Sequence, residues 1–368
     1  MTELAAIAVA EIPLAAARDV FERLCAHLDE HVDIRRDGWS AEARTPFVRV
    51  GFSSGERMLR FDAHAVDTDY LAAVKDMVAS HVAEFAGDLA APIVWTSPSA
   101  TAAPEEAERP RGGRCYREMR VTAVRDLSPR MRRLTLAGDD LGPFEDGGLH
   151  VRLVLPDDPA VPPPAPRIDA GGRLAWDPGV TPPPVRVYTI RRIDVAAGTV
   201  EIDFVLHGDG ADAGHGETAH PASPGARFAL RAVPGAVLGM YGPGGRTVPA
   251  AARYLLAGDE TALPMIARVL EALPATASAV VRIEVETAAD KLPLQSAATL
   301  DIAFLPRRGA APGVPLAEAV EALPIDAADA GLFVLFAAET TAARRIRTHL
   351  RGIGLPPERY IAAGFWDA

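Results

Sequence analysis

Leu256-Ala257-Gly258-Asp259-Glu260-Thr261-Ala262-Leu263-Pro264-Met265-Ile266 is the stretch on which the fold turns. It continues an apolar run from Tyr254 and Leu255, the mark of a strand buried on both faces. That run breaks at a short polar turn, and the spacing beyond it predicts a helix over 262–273. Gly258 permits a close backbone approach, Thr261 is placed to cap the helix, and Pro264 suits its first turn. A strand passing through such a turn sets an anion-receptive helix start at its carboxyl end. The stretch is not a G-x-G-x-x-G, so it does not carry that dinucleotide fingerprint.

Downstream the same grammar repeats. Strands are expected at 279–286, 301–305, 332–337 and 359–365, with helices at 316–323 and 340–351 between them. Alternating strands and helices with continuous apolar strands give a parallel sheet wrapped by helices, whose ligands bind beyond the strands' carboxyl ends. Gly258-Asp259-Glu260-Thr261 lies at that face.

Upstream, residues 115–250 read differently. The runs 116–121, 132–136, 150–154, 186–190 and 200–206 are short, largely alternating and separated by Gly- and Pro-rich turns, the pattern of a small antiparallel barrel. Residues 156–184, crowded with proline, are expected to form a loop inside it, because proline withholds N–H donors. Residues 97–114 lack apolar periodicity and read as a linker. Before them, helices at 14–28 and 68–85 enclose strands near 47–50 and 58–61. The chain is therefore multidomain: a small α+β domain (1–96), a linker (97–114), an antiparallel β-barrel (115–250) and an α/β domain with a parallel sheet (251–368).

Composition narrows the function. The 368 residues are 49 % hydrophobic and 24 % charged, which suits packed domains rather than a disordered chain. A net charge of −11 argues against a generic nucleic-acid binder or a protein held on anionic lipid. The two cysteines, Cys25 and Cys115, match no metal or redox spacing. His27, His31, His64 and His81 form no dense ligand cluster, so no metal is expected. The start of the chain lacks a basic signal region and no apolar run is long enough for a membrane span, giving the expectation of a cytoplasmic protein.

Two further constellations carry chemistry. Arg186, Tyr188 and Ile190 share one face of a strand and Thr189 points to the other. Arginine matches a pyrophosphate and tyrosine packs on a flat heterocycle, although an ordinary barrel strand can carry the same residues. Asp203-Phe204-Val205-Leu206-His207-Gly208 then leads into a small-residue turn, 209–219, which includes Gly216 and Thr218. Backbone N–H groups there can converge on phosphate, but a long hairpin loop suits glycine equally well.

Taken in order, R-x-Y-T, the H-G strand end and A-G-D-E-T-A-L-P resemble the siderophore-interacting protein family of flavin-dependent ferric-siderophore reductases. The closing Gly364-Phe365-Trp366 is similar to that family's Gly-aromatic-Trp end. The resemblance covers residues 115–368; residues 1–90 resemble a small domain of unassigned function that occurs fused to such reductases. It implies FAD on the barrel and NADH or NADPH on the sheet, with a ferric siderophore as substrate. By that resemblance Arg186, Tyr188, Thr189, Asp203, Val205, His207, Gly216 and Thr218 would serve FAD. Asp259, Glu260 and Thr261, following Gly258, would lie where the nicotinamide nucleotide docks, Phe365 and Trp366 would shield the flavin ring or simply close the core, and no side chain acts as a nucleophile. The family's Gly-Pro-Ala-Ser-x-Trp-Ala turn stands here as Ala213-Gly214-His215-Gly216-Glu217-Thr218-Ala219, without the Ser and Trp. Arg246, Arg307, Arg308 and Lys291 are candidate cations for an acidic chelate, although a solvated surface charge is the plainer reading of each. Two rival readings stay open: a flavin reductase with another acceptor, and a non-enzymatic siderophore-binding or iron-sensing protein.

Overall fold

The computed structural model describes residues 5–29, 33–44, 48–66, 68–87, 93–96, 116–146, 148–168, 174–206, 223–244, 248–356 and 359–368. The linker expected at 97–114, Cys115, His31, His207 and the turn expected at 209–219, with Gly216 and Thr218, lie outside them.

The amino-terminal part is β1 (Ala6–Pro13), α1 (Ala17–Leu28), β2 (Asp33–Asp37), β3 (Ser40–Arg44), β4 (Val48–Ser54), β5 (Met58–Ala65), α2 (Thr68–Ala86) and β6 (Trp95–Thr96). Its antiparallel sheet has the order β2-β3-β4-β5-β1-β6. Ala8, Ala10 and Ile12 of β1 turn inward onto Phe21 and Leu24 of α1 and Val78 and Val82 of α2. Strand β1 was not expected, because alanine fills its inward positions and leaves little hydrophobic alternation to read.

Next come β7 (Tyr116–Ser128), β8 (Met131–Ala137), α3 (Pro143–Asp146), β9 (His150–Val154), β10 (Arg167–Ile168), β11 (Leu174–Ala175), β12 (Val185–Asp194), β13 (Thr199–Val205), α4 (Pro224–Arg231) and β14 (Val237–Gly244). Six of these strands close into an antiparallel barrel, β12-β13-β8-β7-β14-β9. Met119, Leu134, Leu136, Leu153, Ile190, Ile202 and Phe204 fill it. The proline-rich stretch is not wholly loop: β10 and β11 pair as a two-residue ladder within it. Strand β14 escapes a periodicity reading because Gly239, Gly242, Pro243 and Gly244 interrupt it.

The carboxyl-terminal part is β15 (Arg253–Gly258), α5 (Leu263–Ala272), β16 (Ser278–Val285), β17 (Thr299–Pro306), α6 (Val314–Glu321), β18 (Leu332–Glu339), α7 (Thr340–Gly352) and β19 (Tyr360–Trp366). All its strands are parallel, in the order β17-β16-β15-β18-β19. Leu256 packs with α5 on one face, and Leu255 and Ala257 pack with α6 and α7 on the other, which is why β15 reads as unbroken apolar sequence. Among the described residues no helix is long and apolar enough to cross a membrane.

Barrel and parallel sheet share one apolar seam. Met131, Leu127, Leu149 and Val205 of the barrel side join the cluster built on α5. Polar contacts frame it: Arg191 binds Glu271 at 2.5 and 2.8 Å, and Arg268 donates to the Ile190 carbonyl at 3.0 Å. The amino-terminal part is tied on by Arg152–Asp76 and Arg351–Asp29, each at 2.8 Å.

At the end of β15, a Cβ on Gly258 would stand 2.6 Å from the Ala262 Cβ and 2.9 Å from the Ala337 carbonyl oxygen. Neither neighbour is a flexible side-chain tip. Gly258→Ala should therefore cost about 1–3 kcal/mol through overpacking, read as a lower denaturant midpoint with an unchanged m-value.

Candidate cofactor and nucleotide site

The site begins where β15 stops. Asp259 is 1 % exposed, and its carboxylate is fully engaged. Oδ1 accepts the Thr261 backbone N–H at 2.9 Å and its hydroxyl at 2.5 Å, while Oδ2 accepts the Trp366 indole N–H at 2.7 Å. Thr261 therefore does not cap α5. The cap position is Ala262, which has no capping side chain, because the Thr261 hydroxyl is spent on Asp259. Trp366 is held a second time, its carbonyl accepting from the Thr340 hydroxyl at 3.0 Å. A Cβ on Gly364 would fall 2.5 Å from that hydroxyl and 2.9 Å from the Thr340 Cα, so glycine is required for β19 to close there.

Glu260 turns the opposite way. It is buried and binds Arg307 at 2.5 and 3.1 Å, while its Oε1 accepts the Glu286 N–H at 2.6 Å. Burial raises its pKa and Arg307 opposes that shift. Arg307 also binds Glu284 at 2.7 Å and Glu286 at 2.8 Å. Its expected availability to an acidic chelate is corrected by this engagement. Lys291 lies 5.9 Å from the Phe304 ring centroid, Arg308 is exposed, and Arg246 lies outside the described residues.

On the barrel, β12 presents its residues as the alternation requires. Ile190 is in the core, Tyr188 packs on Phe204 with ring centroids 4.4 Å apart, and Arg186 is exposed. The Tyr188 hydroxyl reaches α4, where Gly225 leaves room for it, and burial raises the phenol's pKa. The Arg186 guanidinium donates to the Val185 carbonyl at 2.8 Å, and among the described residues no carboxylate binds it. Thr189, buried on the outer face, stands opposite His150 of β9 in the ladder.

His150 links the two halves. Its ring meets Phe365 edge-on, centroids 5.6 Å apart at 84°. A continuous path thus runs from Thr189 through His150 and Phe365 to Trp366, Asp259 and Thr261. His150 carries no local sequence signal; only the cross-strand register places it beside Thr189. Asp203 and Val205 point outward from β13 rather than toward Tyr188. Asp203 is clamped by Arg133 at 2.6 and 2.8 Å, and Val205 packs into the seam. Arg133, Asp203, Leu263, Pro264 and Ala267 wall a cleft of about 350 Å³ between barrel and α5.

The donor set fits a flavin dinucleotide. Among the described residues Arg186 is an exposed cation without an acid partner, suited to a diphosphate. The His150 Nε2 is shut away from solvent without a hydrogen-bond partner among the described residues, suited to the polar edge of a ring system.

Residues 120–247 match the family model described as the siderophore-interacting FAD-binding domain, and residues 251–368 the one described as siderophore-interacting protein. Residues 9–96 match a family of uncharacterized proteins conserved in bacteria. The chain belongs to the siderophore-interacting protein family. It is 30 % identical over 245 residues to the ferric vibriobactin reductase of Vibrio cholerae, covering 65 % of this chain and 85 % of that one. An uncharacterized protein of Mycobacterium tuberculosis is 36 % identical over 218 residues, 58 % of this chain and 73 % of the relative. A crystal structure of a siderophore utilization protein from T. fusca aligns with a TM-score of 0.57 at 34 % identity, covering 68 % of this chain and 92 % of that one.

The seam has a pH signature. Burial, aided by Arg268, pushes the His150 pKa down from 6.5 to about 4. An unfolded chain binds the proton first, so this histidine's contribution is full above about pH 6.5 and fades as the pH falls toward 4. Stability measured across that window should drop up to about 3 kcal/mol less in His150→Gln than in the unsubstituted protein.

Proposed function

We propose that this chain is an FAD-dependent oxidoreductase that reduces siderophore-bound iron(III) with electrons from NADH or NADPH, releasing iron(II) in the cytoplasm. Family membership and the likeness to ferric vibriobactin reductase support the reading. The observation that carries it is the path from Thr189 to Thr261, which joins the barrel surface to the carboxyl end of β15. We further place the domain boundaries at 1–96, 115–250 and 251–368, with 97–114 as linker.

Bound FAD supplies the exchange between two-electron hydride uptake and one-electron delivery to the metal. The chain's own residues bind and orient. Arg186 neutralises the diphosphate, and Tyr188, locked between Phe204 and Gly225, fixes the strand that presents it. Thr189 and His150 offer polar atoms at the seam, while Phe365 keeps water from it. Asp259, held by Trp366 and Thr261, sets the backbone against which a nicotinamide nucleotide docks. The substrate then changes its own affinity: iron(II) is a poorer match for hard oxygen ligands, so the chelate loosens and the metal can leave.

The purified protein should carry flavin absorbance or regain it with added FAD. Anaerobic addition of a reduced nicotinamide nucleotide should bleach it, and a ferric siderophore should restore the color while an iron(II) chelator traps the product. Absence of flavin binding would refute the reading, and flavin reoxidized only by quinones or electron-transfer proteins would replace the acceptor. Arg186→Ala should weaken FAD retention about tenfold or more, as expected on losing a charged contact, with little change in thermal midpoint. Equal FAD affinity in equilibrium dialysis would remove Arg186 from the site.

A further inference from the structure

The structure assigns this enzyme a preference for NADH over NADPH, set by three glutamates that hold Arg307 at the nucleotide end of the parallel sheet. The inference rests on the nucleotide-binding reading above and names which of the two donors it takes.

In a sheet ordered β17-β16-β15-β18-β19, a dinucleotide lying across the carboxyl end of β15 reaches its adenosine ribose toward the end of the adjacent β16. An acid at that strand end accepts from the ribose 2′-hydroxyl, whereas an arginine there receives a 2′-phosphate. The residue following β16 is Glu286, about one third exposed at its side chain. The nearby arginine is Arg307, just past β17, and its guanidinium is spent. Nε binds Glu284, Nη2 binds Glu260, and Nη1 is shared between Glu260 and Glu286.

These contacts are also structural, which keeps the arginine from turning outward. Glu284 is wholly buried and accepts the backbone N–H groups of Gly313 at 2.8 Å and Leu316 at 3.1 Å, anchoring the start of α6. Glu260 receives the Glu286 N–H and so ties the ends of β15 and β16 together. Three carboxylates face one guanidinium, leaving the local field negative where a 2′-phosphate would have to sit. The next strand cation, Arg282, is directed to Asp301 at 2.9 Å. Arg308 is exposed on the left-handed turn after Arg307, with φ of 53°, and no acid binds it among the described residues; it serves as the control.

The test is binding of adenosine 5′-monophosphate and adenosine 2′,5′-bisphosphate to the intact flavoprotein by titration calorimetry, alongside flavin reduction by NADH and NADPH. The monophosphate should bind at least about tenfold tighter than the bisphosphate, as like-charge repulsion demands, and NADH should show the same advantage in kcat/KM. Glu286→Gln should narrow both ratios by raising affinity for the 2′-phosphorylated ligand, and Arg308→Ala should leave them unchanged. Equal or tighter binding of the bisphosphate overturns the inference, as does loss of that binding in Arg308→Ala. Flavin reduced equally well by both donors overturns it while leaving the oxidoreductase reading intact. A flavin reduced by neither donor overturns both.

Discussion

The hydrogen bond from the Trp366 indole to the buried Asp259 carboxylate is the contact on which the rest of the site depends. A buried carboxylate needs partners for its lone pairs, and Asp259 draws them from the turn after β15 and from the end of β19. One acid thereby fixes the backbone at the first strand's carboxyl end and the direction of the last strand. With Trp366 held, Phe365 has one place to go, against His150 on the barrel. The orientation of barrel and sheet follows from that sequence of constraints as much as from the apolar seam beneath it.

The acids at this edge divide the labour by their surroundings. Asp259 is satisfied by neutral donors and shapes the turn. Glu260 and Glu284 are satisfied by Arg307 and by backbone N–H groups, and lock the neighbouring strand ends into one rim. Both sets are buried, so neither is free for acid–base work, in keeping with a reaction whose chemistry belongs to a cofactor. On the barrel side Arg133 does the same for Asp203, which supports the wall of the cleft on the face of β13 opposite Tyr188.

Much of this was legible in the sequence where burial is symmetric and local. Strand β15 shows as an unbroken apolar run because both faces are covered, and the shift to a polar turn marks the site face. The barrel strands show through alternation, since one face is core and the other is not. Strands β1 and β14 do not show: alanine blurs the contrast in the first, and glycine and proline interrupt the second. Within the site, Asp259 and Trp366 are separately visible as motif members, but their bond spans 107 positions and no local pattern encodes it. The Thr261 hydroxyl escapes a local reading for the same reason: a helix-start threonine reads as a cap until the buried acid two residues earlier claims its hydroxyl. Arg307 looked like an available surface cation because its three partners come from the ends of two other strands.

In the proposed reaction the carboxyl-terminal aromatic pair couples the nucleotide end of the sheet to the flavin on the barrel. Stopped-flow reduction of the flavin by NADH in Trp366→Phe, with FAD content matched to the unsubstituted protein, tests it most directly. A lowered rate constant at saturating NADH with FAD still tightly held is the predicted result. An unchanged rate constant would show that the two halves communicate without this link, and would contradict the account.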